Sequence, residues 1–264
     1  MIYPDYKDVE ISLDKRVATV TFNREKNLNS FSARLKKECT DALQRLSADD
    51  KVGAIVITGK GRHFCAGANI EELKANIDSG VCITPEIAWL TVEWVRAIRR
   101  CLKPVIAMVN GAAMGGGAAI ASACDYRFMQ PSSKFGMAFV NMGLSCDSGS
   151  MFSLSRVVGY SKALELIMSG EIINGYEAEK MGWSRLTEEG MLAENVYAFA
   201  GMISAKPGKA LANDKRLANA IFWSDFETCE NMEIPNVIDC GKSYDHAEGV
   251  NAFLEKRSPE FKHK

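Results

Sequence analysis

"KPVIAMVNGAAMGGGAAI", residues 103–120, opens on a short apolar run and then gives way to four glycines among alanines. The first half reads as a strand buried on both faces, because almost nothing polar interrupts it. The second half puts bare backbone directly after that strand, with no acid until Asp125. Glycine permits dihedral angles and close approaches that a Cβ forbids. A loop that then enters a helix leaves free N–H groups at the helix start. What this stretch can offer a ligand is therefore main-chain N–H. The same glycines also suit tight helix–strand packing. Neither the G-x-G-x-x-G spacing of a dinucleotide site nor the G-K-[ST] of a P-loop is present.

Working outward, the arrangement occurs a second time. "VGAIVITG" (52–59) is another apolar strand, and "HFCAGANIEEL" (63–73) is the glycine-bearing segment after it. Between the two lies "PEIAWLTVEWVRAIRRCL" (85–102), read as a helix with a stripe of Ile87, Leu90, Trp94 and Ile98. "VEISLDKRVATVTFN" (9–23) reads as two strands around an "LDKR" turn, and 125–129 as a further short strand. Residues 30–46 form an amphipathic helix with Leu35, Cys39, Ala42, Leu43 and Leu46 inward and Ser32 as its cap. After residue 148 the pattern is almost wholly helical, ending in a long tail from 209 to 255. No linker divides the chain, so one continuous α/β domain is expected, with a core over 1–200 and a helical region over 201–264.

Composition excludes more than it selects. The 264 residues carry 32 basic and 33 acidic side chains, which gives no sign of nucleic-acid or membrane partners. The first residues lack a signal-peptide pattern and no apolar run reaches membrane-spanning length, so a cytoplasmic protein is expected. Eight cysteines are scattered without a C-x-x-C pair and read as reduced, mostly core thiols. The three histidines have no partner one turn away, so no metal site is expected.

At the level of motifs the chain resembles the enoyl-CoA hydratase/isomerase, or crotonase, superfamily. The resemblance rests on "FNREKNLNSFS", "FCAGANI", "KPVIAMVNGAAMGGG", "ACDYRF" and "FLEKRSPEF" (253–261), in the right order and through nearly the whole chain. It implies an α/β fold, a ββα spiral with a C-terminal helical region used for trimerisation as a homotrimer or dimer of trimers. It also implies a coenzyme A thioester as substrate, with no separate cofactor. Carried over by position, Ala68 and Gly116 would donate their N–H groups to the thioester oxygen, an oxyanion hole. Ala66, Asn69, Ile70, Glu71 and Gly115 would line the CoA channel, mainly through backbone. Arg24, Lys26 and Lys256, the last from a neighbouring subunit, would approach the CoA phosphates; as bare sequence they also fit a solvated surface.

The resemblance breaks where it matters for chemistry. The two glutamates that hydratases of this family use as acid and base fall on Ala119 and Phe139 here. The acid that remains is Asp147, at a position where dienoyl-CoA isomerases and 4-chlorobenzoyl-CoA dehalogenases keep an aspartate. In the dehalogenase it is the nucleophile, but the histidine that serves it there falls on Val92. Asp147 is thus a candidate acid/base, with a nucleophile as the alternative and a plain helix N-cap as the structural one. Cys146 lacks a base beside it and fits core or lining better than nucleophile. Glu93, Trp89, Trp94, Asn141 and His63 are weaker site candidates, and Phe139, Met137, Met142 and Phe152 hint at a flat apolar acyl group. The leading expectation is isomerase or hydratase-type lyase chemistry on an acyl-CoA. A CoA- or RNA-binding protein with little catalysis is the alternative of another class, and near-neutral charge disfavours its RNA form.

Overall fold

The computed structural model describes residues 3–81 and 83–262, so Cys82 and His263 lie outside the described residues. β1 (Val9–Asp14) and β2 (Val17–Phe22) make the expected antiparallel hairpin, with Val9 opposite Phe22 and Asp14 opposite Val17. Parallel strands then extend the sheet from β2: β3 (Ala54–Gly59), β4 (Val105–Val109), β6 (Tyr126–Met129) and β9 (Arg185–Leu186). Every residue of β3 and β4 is buried, which is why both read as unbroken apolar runs.

A second, shorter sheet consists of β5 (Ala112–Met114), β7 (Lys134–Gly136) and β8 (Ile172–Asn174). Its outer rung is a single parallel bridge between Cys65 and Ala113. The chain climbs through the two sheets in repeated turns of strand, short strand and helix. β4 leads to β5 and α4 (Gly116–Ala123); β6 leads to β7 and then α5 (Ser150–Val158). The turn before them is β3, the Cys65 bridge and α2 (Ile70–Asp78). This is the ββα spiral that the resemblance implies.

α1 (Ala33–Ala48) buries Leu35, Cys39, Ala42, Leu43 and Leu46, and the Ser32 hydroxyl accepts from the Leu35 N–H at 3.0 Å, as the sequence predicts. α3 (Pro85–Arg100) corrects its own stripe: Ile87 is 47% exposed, while Ala88, Thr91, Val92 and Val95 join Trp94 and Ile98 inside. The helix is packed by α1 on one side and α10 (Phe226–Cys240) on another, so its buried arc is wider than a single stripe. Trp94 is fully buried, edge-on to Phe22 at 5.3 Å, and belongs to the core.

The region after 148 is less uniformly helical than expected, since it contains β8 and β9. α6 (Tyr160–Ser169), α7 (Gly175–Lys180) and α8 (Leu192–Ser204) surround them. The tail is three helices: α9 (Gly208–Phe222), α10 and α11 (Tyr244–Glu255). α10 packs on α3, and α11 on α2 and the 3-10 turn Val140–Met142. Asp125 joins α9 to the sheet: it pairs with Lys215 at 2.6 Å and Arg99 at 2.9 Å, and accepts the Val105 N–H at 2.8 Å. The described cysteines are free thiols, four of them fully buried. Among the described residues no helix is long and apolar enough to cross a membrane, and no cluster of His, Cys, Asp or Glu could hold a metal.

Candidate active site

The two glycine segments meet. Cys65 donates its N–H to Ala112 O at 3.0 Å, and its carbonyl accepts the Met114 N–H at 3.0 Å. Gly67 follows with φ 80°, and a Cβ there would stand 2.5 Å from Met114 O and 3.3 Å from Gly116 N. Only glycine allows both the dihedral and the approach. The next amide is that of Ala68, and Gly116 is the first residue of α4. Among the described residues neither the Ala68 nor the Gly116 N–H meets a protein acceptor. Gly67, the residue before Ala68, thus approaches Gly116 at the start of a buried helix, and the N–H groups of Ala68 and Gly116 have no internal partner.

A bracket from the N-terminal part of the chain holds the first of these loops. Asn29, fully buried with φ 53°, donates from Nδ2 to Lys60 O at 2.9 Å and to His63 O at 2.7 Å, and Oδ1 accepts the Arg24 N–H at 3.0 Å. Ala66 N–H reaches Leu28 O at 3.1 Å, and Phe31 N–H reaches Gly67 O at 2.7 Å. Phe31 also fills the space beside Gly116, its ring 2.3 Å from where a Cβ would be. The "FNREKNLNSFS" segment therefore acts here mainly as scaffold.

Asp147 lies in the loop before α5, half-buried. The Ser148 hydroxyl donates to its Oδ1 at 2.6 Å, and its carbonyl oxygen accepts the Ser150 N–H at 3.0 Å. Ser148 and Gly149 are both left-handed, with φ 61° and 65°, and a non-glycine residue held there stores about 1–3 kcal/mol of strain. The helix-cap reading of Asp147 is corrected: the N-cap of α5 is Gly149, and the Asp147 carboxylate caps nothing. Burial pushes the carboxyl above its ordinary value, against the Ser148 hydroxyl and the Lys36 ammonium, which lower it. Lys36, nearly buried on α1, donates to Ile87 O at 3.1 Å and lies 5.2 Å from the Phe31 ring centroid. Burial lowers its own pKa, and the charge of Asp147 is the foremost influence opposing that. Lys36 thus connects Asp147 electrostatically with the wall behind Gly116.

The other sequence candidates scatter. Phe139 stands beside Gly115, its ring 3.9 Å from the Cβ position there. Asn69 caps α2, its Oδ1 accepting from Glu71 N at 3.1 Å and Glu72 N at 3.4 Å, so that oxygen is committed to the helix start. Ile70 and Glu71 form the first turn of that helix, Glu71 exposed, and Ala66 is half-buried before it. Arg24 pairs with Asp8 at 3.2 Å and donates from Nε to Ser30 O at 3.0 Å, so part of its guanidinium is engaged inside the fold. Lys26 and Lys256 are exposed. Glu93 pairs with Arg96 at 2.6 Å, Arg96 lies over Trp89, and Asn141 donates to Gly170 O at 2.9 Å. His63 lines a cavity of about 280 Å³ with Glu25, Leu28, Asn29, Lys60 and Arg62, and its buried Nδ1 has no partner. Val92 is fully buried and offers no base, and Ala119 is closed inside α4. Burial pushes the Cys146 thiol up to about 12, with Glu233 and Asp147 adding to it, so it stays protonated.

Three residues escape a sequence reading. Asn29 and Lys36 have just been placed; the third is Glu233 on α10, buried behind the Asp147 loop. In α10 the buried positions are Phe226, Glu230, Glu233, Ile234 and Val237, a mixed stripe that the sequence does not mark as inward.

The family model for enoyl-CoA hydratase/isomerase matches residues 12–264. The chain is 33% identical to the 1,2-epoxyphenylacetyl-CoA isomerase of Escherichia coli (strain K12), over 94% of this chain and 96% of that protein. It is 34% identical to a probable enoyl-CoA hydratase of Bacillus subtilis (strain 168), covering 96% and 98% respectively. Among solved structures, an enoyl-CoA hydratase from Mycobacterium avium subsp. paratuberculosis K-10 superposes with a TM-score of 0.88 at 28% identity, over 97% of this chain and 99% of that one. Sequence motifs, spiral architecture and these full-length matches agree: this protein belongs to the enoyl-CoA hydratase/isomerase family of enzymes.

Proposed function

We propose that the chain moves a proton along the acyl group of a coenzyme A thioester, with the Ala68 and Gly116 N–H groups holding the thioester oxygen and Asp147 carrying the proton. The observation that carries this reading is the meeting of two glycine loops that leave both amides without a protein acceptor. Fixed N–H dipoles in a water-poor site stabilise charge on a carbonyl oxygen without reorganising, and losing one such donor costs about 10²–10³ in rate. The E. coli relative is named as an isomerase of an acyl-CoA, and the B. subtilis relative as a probable enoyl-CoA hydratase.

The Asp147 carboxylate would take a proton from the acyl chain while the C–H electron pair flows into the carbonyl, giving an enolate. The same carboxyl would return the proton to another carbon of the conjugated system. One group suffices for that relocation. Adding water by the two-glutamate route needs two, and Ala119 and Phe139 occupy those positions. This favours isomerisation over hydration. The upward push on the Asp147 carboxyl suits a group that must both take and give a proton near neutrality.

In this reading Ala66, Asn69, Ile70, Glu71 and Gly115 line the arm of the thioester through backbone, and Phe139 faces the acyl part. Lys26 and Lys256 are the exposed cations left for the phosphates, Lys256 from a neighbouring subunit. Coenzyme A enters as part of the substrate, and no other cofactor is invoked. Assembly as a homotrimer or a dimer of trimers belongs to the same proposal; exposed Leu217, Ile221 and Phe222 on α9 are apolar surface for such a contact.

The test is a panel of unsaturated acyl-CoAs, linear and aromatic, incubated in deuterium oxide and read by mass spectrometry. Deuterium should enter the acyl chain, and Asp147→Asn should slow its entry by about 10²–10⁴. Exchange that survives Asp147→Asn sinks the assignment. Binding across the panel without exchange would leave a CoA-binding module.

A further inference from the structure

Glu233 takes no part in the chemistry described so far, yet it is 6% exposed and aimed at the loop that carries Asp147. Its Oε2 accepts the Gly149 N–H at 2.7 Å, and the Cys229 thiol donates to its Oε1 at 3.4 Å. Gly149 is the N-cap of α5 and has no side chain to cap with, so a carboxyl from α10 does it instead. The place is tightly closed: a Cβ on Gly149 would stand 2.3 Å from the ring of Phe226, at the start of the same α10. Asp147 is two residues away in the chain, and its carbonyl oxygen accepts from Ser150 on the far side of that cap. α10 thus grips the turn that presents Asp147 by one buried carboxyl and one aromatic ring.

We infer that Glu233 is a positioning residue for Asp147: it holds the Asp147–Ser150 turn and stands behind it as a second acid, buried against that turn. This rests on the reading of Asp147 as the proton carrier. The groups facing Glu233 are Asp147 and Cys146 from the loop, Cys229 from its own helix, and the Gly149 and Met151 amides from α5. From α3, Arg96 is engaged with Glu230 and Glu93. Lys36 on α1 acts on Asp147. Among the described residues no cation pairs with Glu233. A carboxyl in that setting ionises late: burial first, then the charge of Asp147, raise it to about 7. Two like charges so placed lose their protons in two coupled steps.

The experiment reads the protonated-carboxyl infrared band of the free protein against pH, in wild type, Glu233→Gln and Asp147→Asn. The amide oxygen of glutamine can still accept the Gly149 N–H, so the cap is kept while the titrating group is removed; circular dichroism checks the fold. Wild type should lose protonated-carboxyl signal in a step near neutrality from both Glu233 and Glu230, and Glu233→Gln should lack the Glu233 part of that step, about half of its amplitude. Asp147→Asn, which does not touch Glu233, should move that part down by about one pH unit or more. A near-neutral step unchanged in both variants overturns the inference. Deuterium exchange measured on the same variants separates the two claims. If the step behaves as stated but Asp147→Asn still exchanges, the acid/base reading fails and the coupling stands. If exchange is lost in Asp147→Asn but the step keeps its full amplitude in Glu233→Gln, the coupling fails alone.

Discussion

Gly117 and Cys65 touch backbone to backbone: a Cβ on Gly117 would stand 2.3 Å from the Cys65 carbonyl oxygen. That oxygen also accepts the Met114 N–H, so it cannot swing aside without breaking the rung between the two glycine loops. Gly117→Ala must therefore part the loops. We expect a loss of about 1–3 kcal/mol in denaturant unfolding. Acyl-CoA turnover should fall by about 10²–10³ as one amide leaves its place. A variant with altered stability and unaltered turnover would show that the loops need not meet.

Asn29 is the next point of leverage. Asn29→Ala leaves the Lys60 and His63 carbonyls and the Arg24 amide without their partner in a closed interior. The expected loss is about 3 kcal/mol, measured by urea unfolding. Asn29→Asp should lose less at acid pH, where its protonated oxygen can still donate to one carbonyl.

Lys36→Met removes the ammonium that holds the Asp147 carboxyl down. Asp147 should then ionise at higher pH, and the rising limb of the rate profile should move to higher pH with it. An unmoved limb would mean that the two groups do not feel one another.

Glu233 makes stability itself depend on pH. Its carboxyl, ordinarily at 4.5, ionises at about 7 in the folded chain because burial and then Asp147 disfavour the charge. Between those values the native state holds a proton that the unfolded chain has lost, so stability falls as pH rises through that window. The full effect is on the order of 3 kcal/mol. Glu230, raised to about 7 by burial against the opposing Arg96, adds a slope of the same sign. Unfolding midpoints taken across the window should show the decline, and Glu233→Gln should flatten part of it.

Asp147 as a proton carrier forms no bond to the acyl group. One turnover in oxygen-18 water should leave its carboxylate unlabelled. Label in a peptide containing Asp147 would make it the nucleophile instead.

Much of this was legible in advance, for physical reasons. β3 and β4 announce themselves because a strand covered on both faces tolerates no polar residue, and α1 because a single capped stripe faces the core. β5, β7 and β8 are three residues each, too short to show alternation, and their pairing depends on strands far along the chain. A single stripe places Ile87 inward, but α3 has neighbours on two sides and its buried arc turns away from that residue. The tail splits where Trp223–Asp225 and Gly241–Ser243 interrupt it, and Pro235, which would ordinarily mark a break, lies inside α10. Asp147 was found by position, whereas its environment was not. Lys36 and Glu233 reach it from α1 and α10, and no local pattern encodes which distant charge will be buried beside an acid.

The amides of Ala68 and Gly116 have a last consequence. On the proposed reading the grip belongs to the main chain, so it survives exchanges of side chains that leave the glycine contacts alone, and a workshop of this design can change its trade by refitting a few benches. Positions 119, 139 and 147 would be such benches, and here only the last holds an acid.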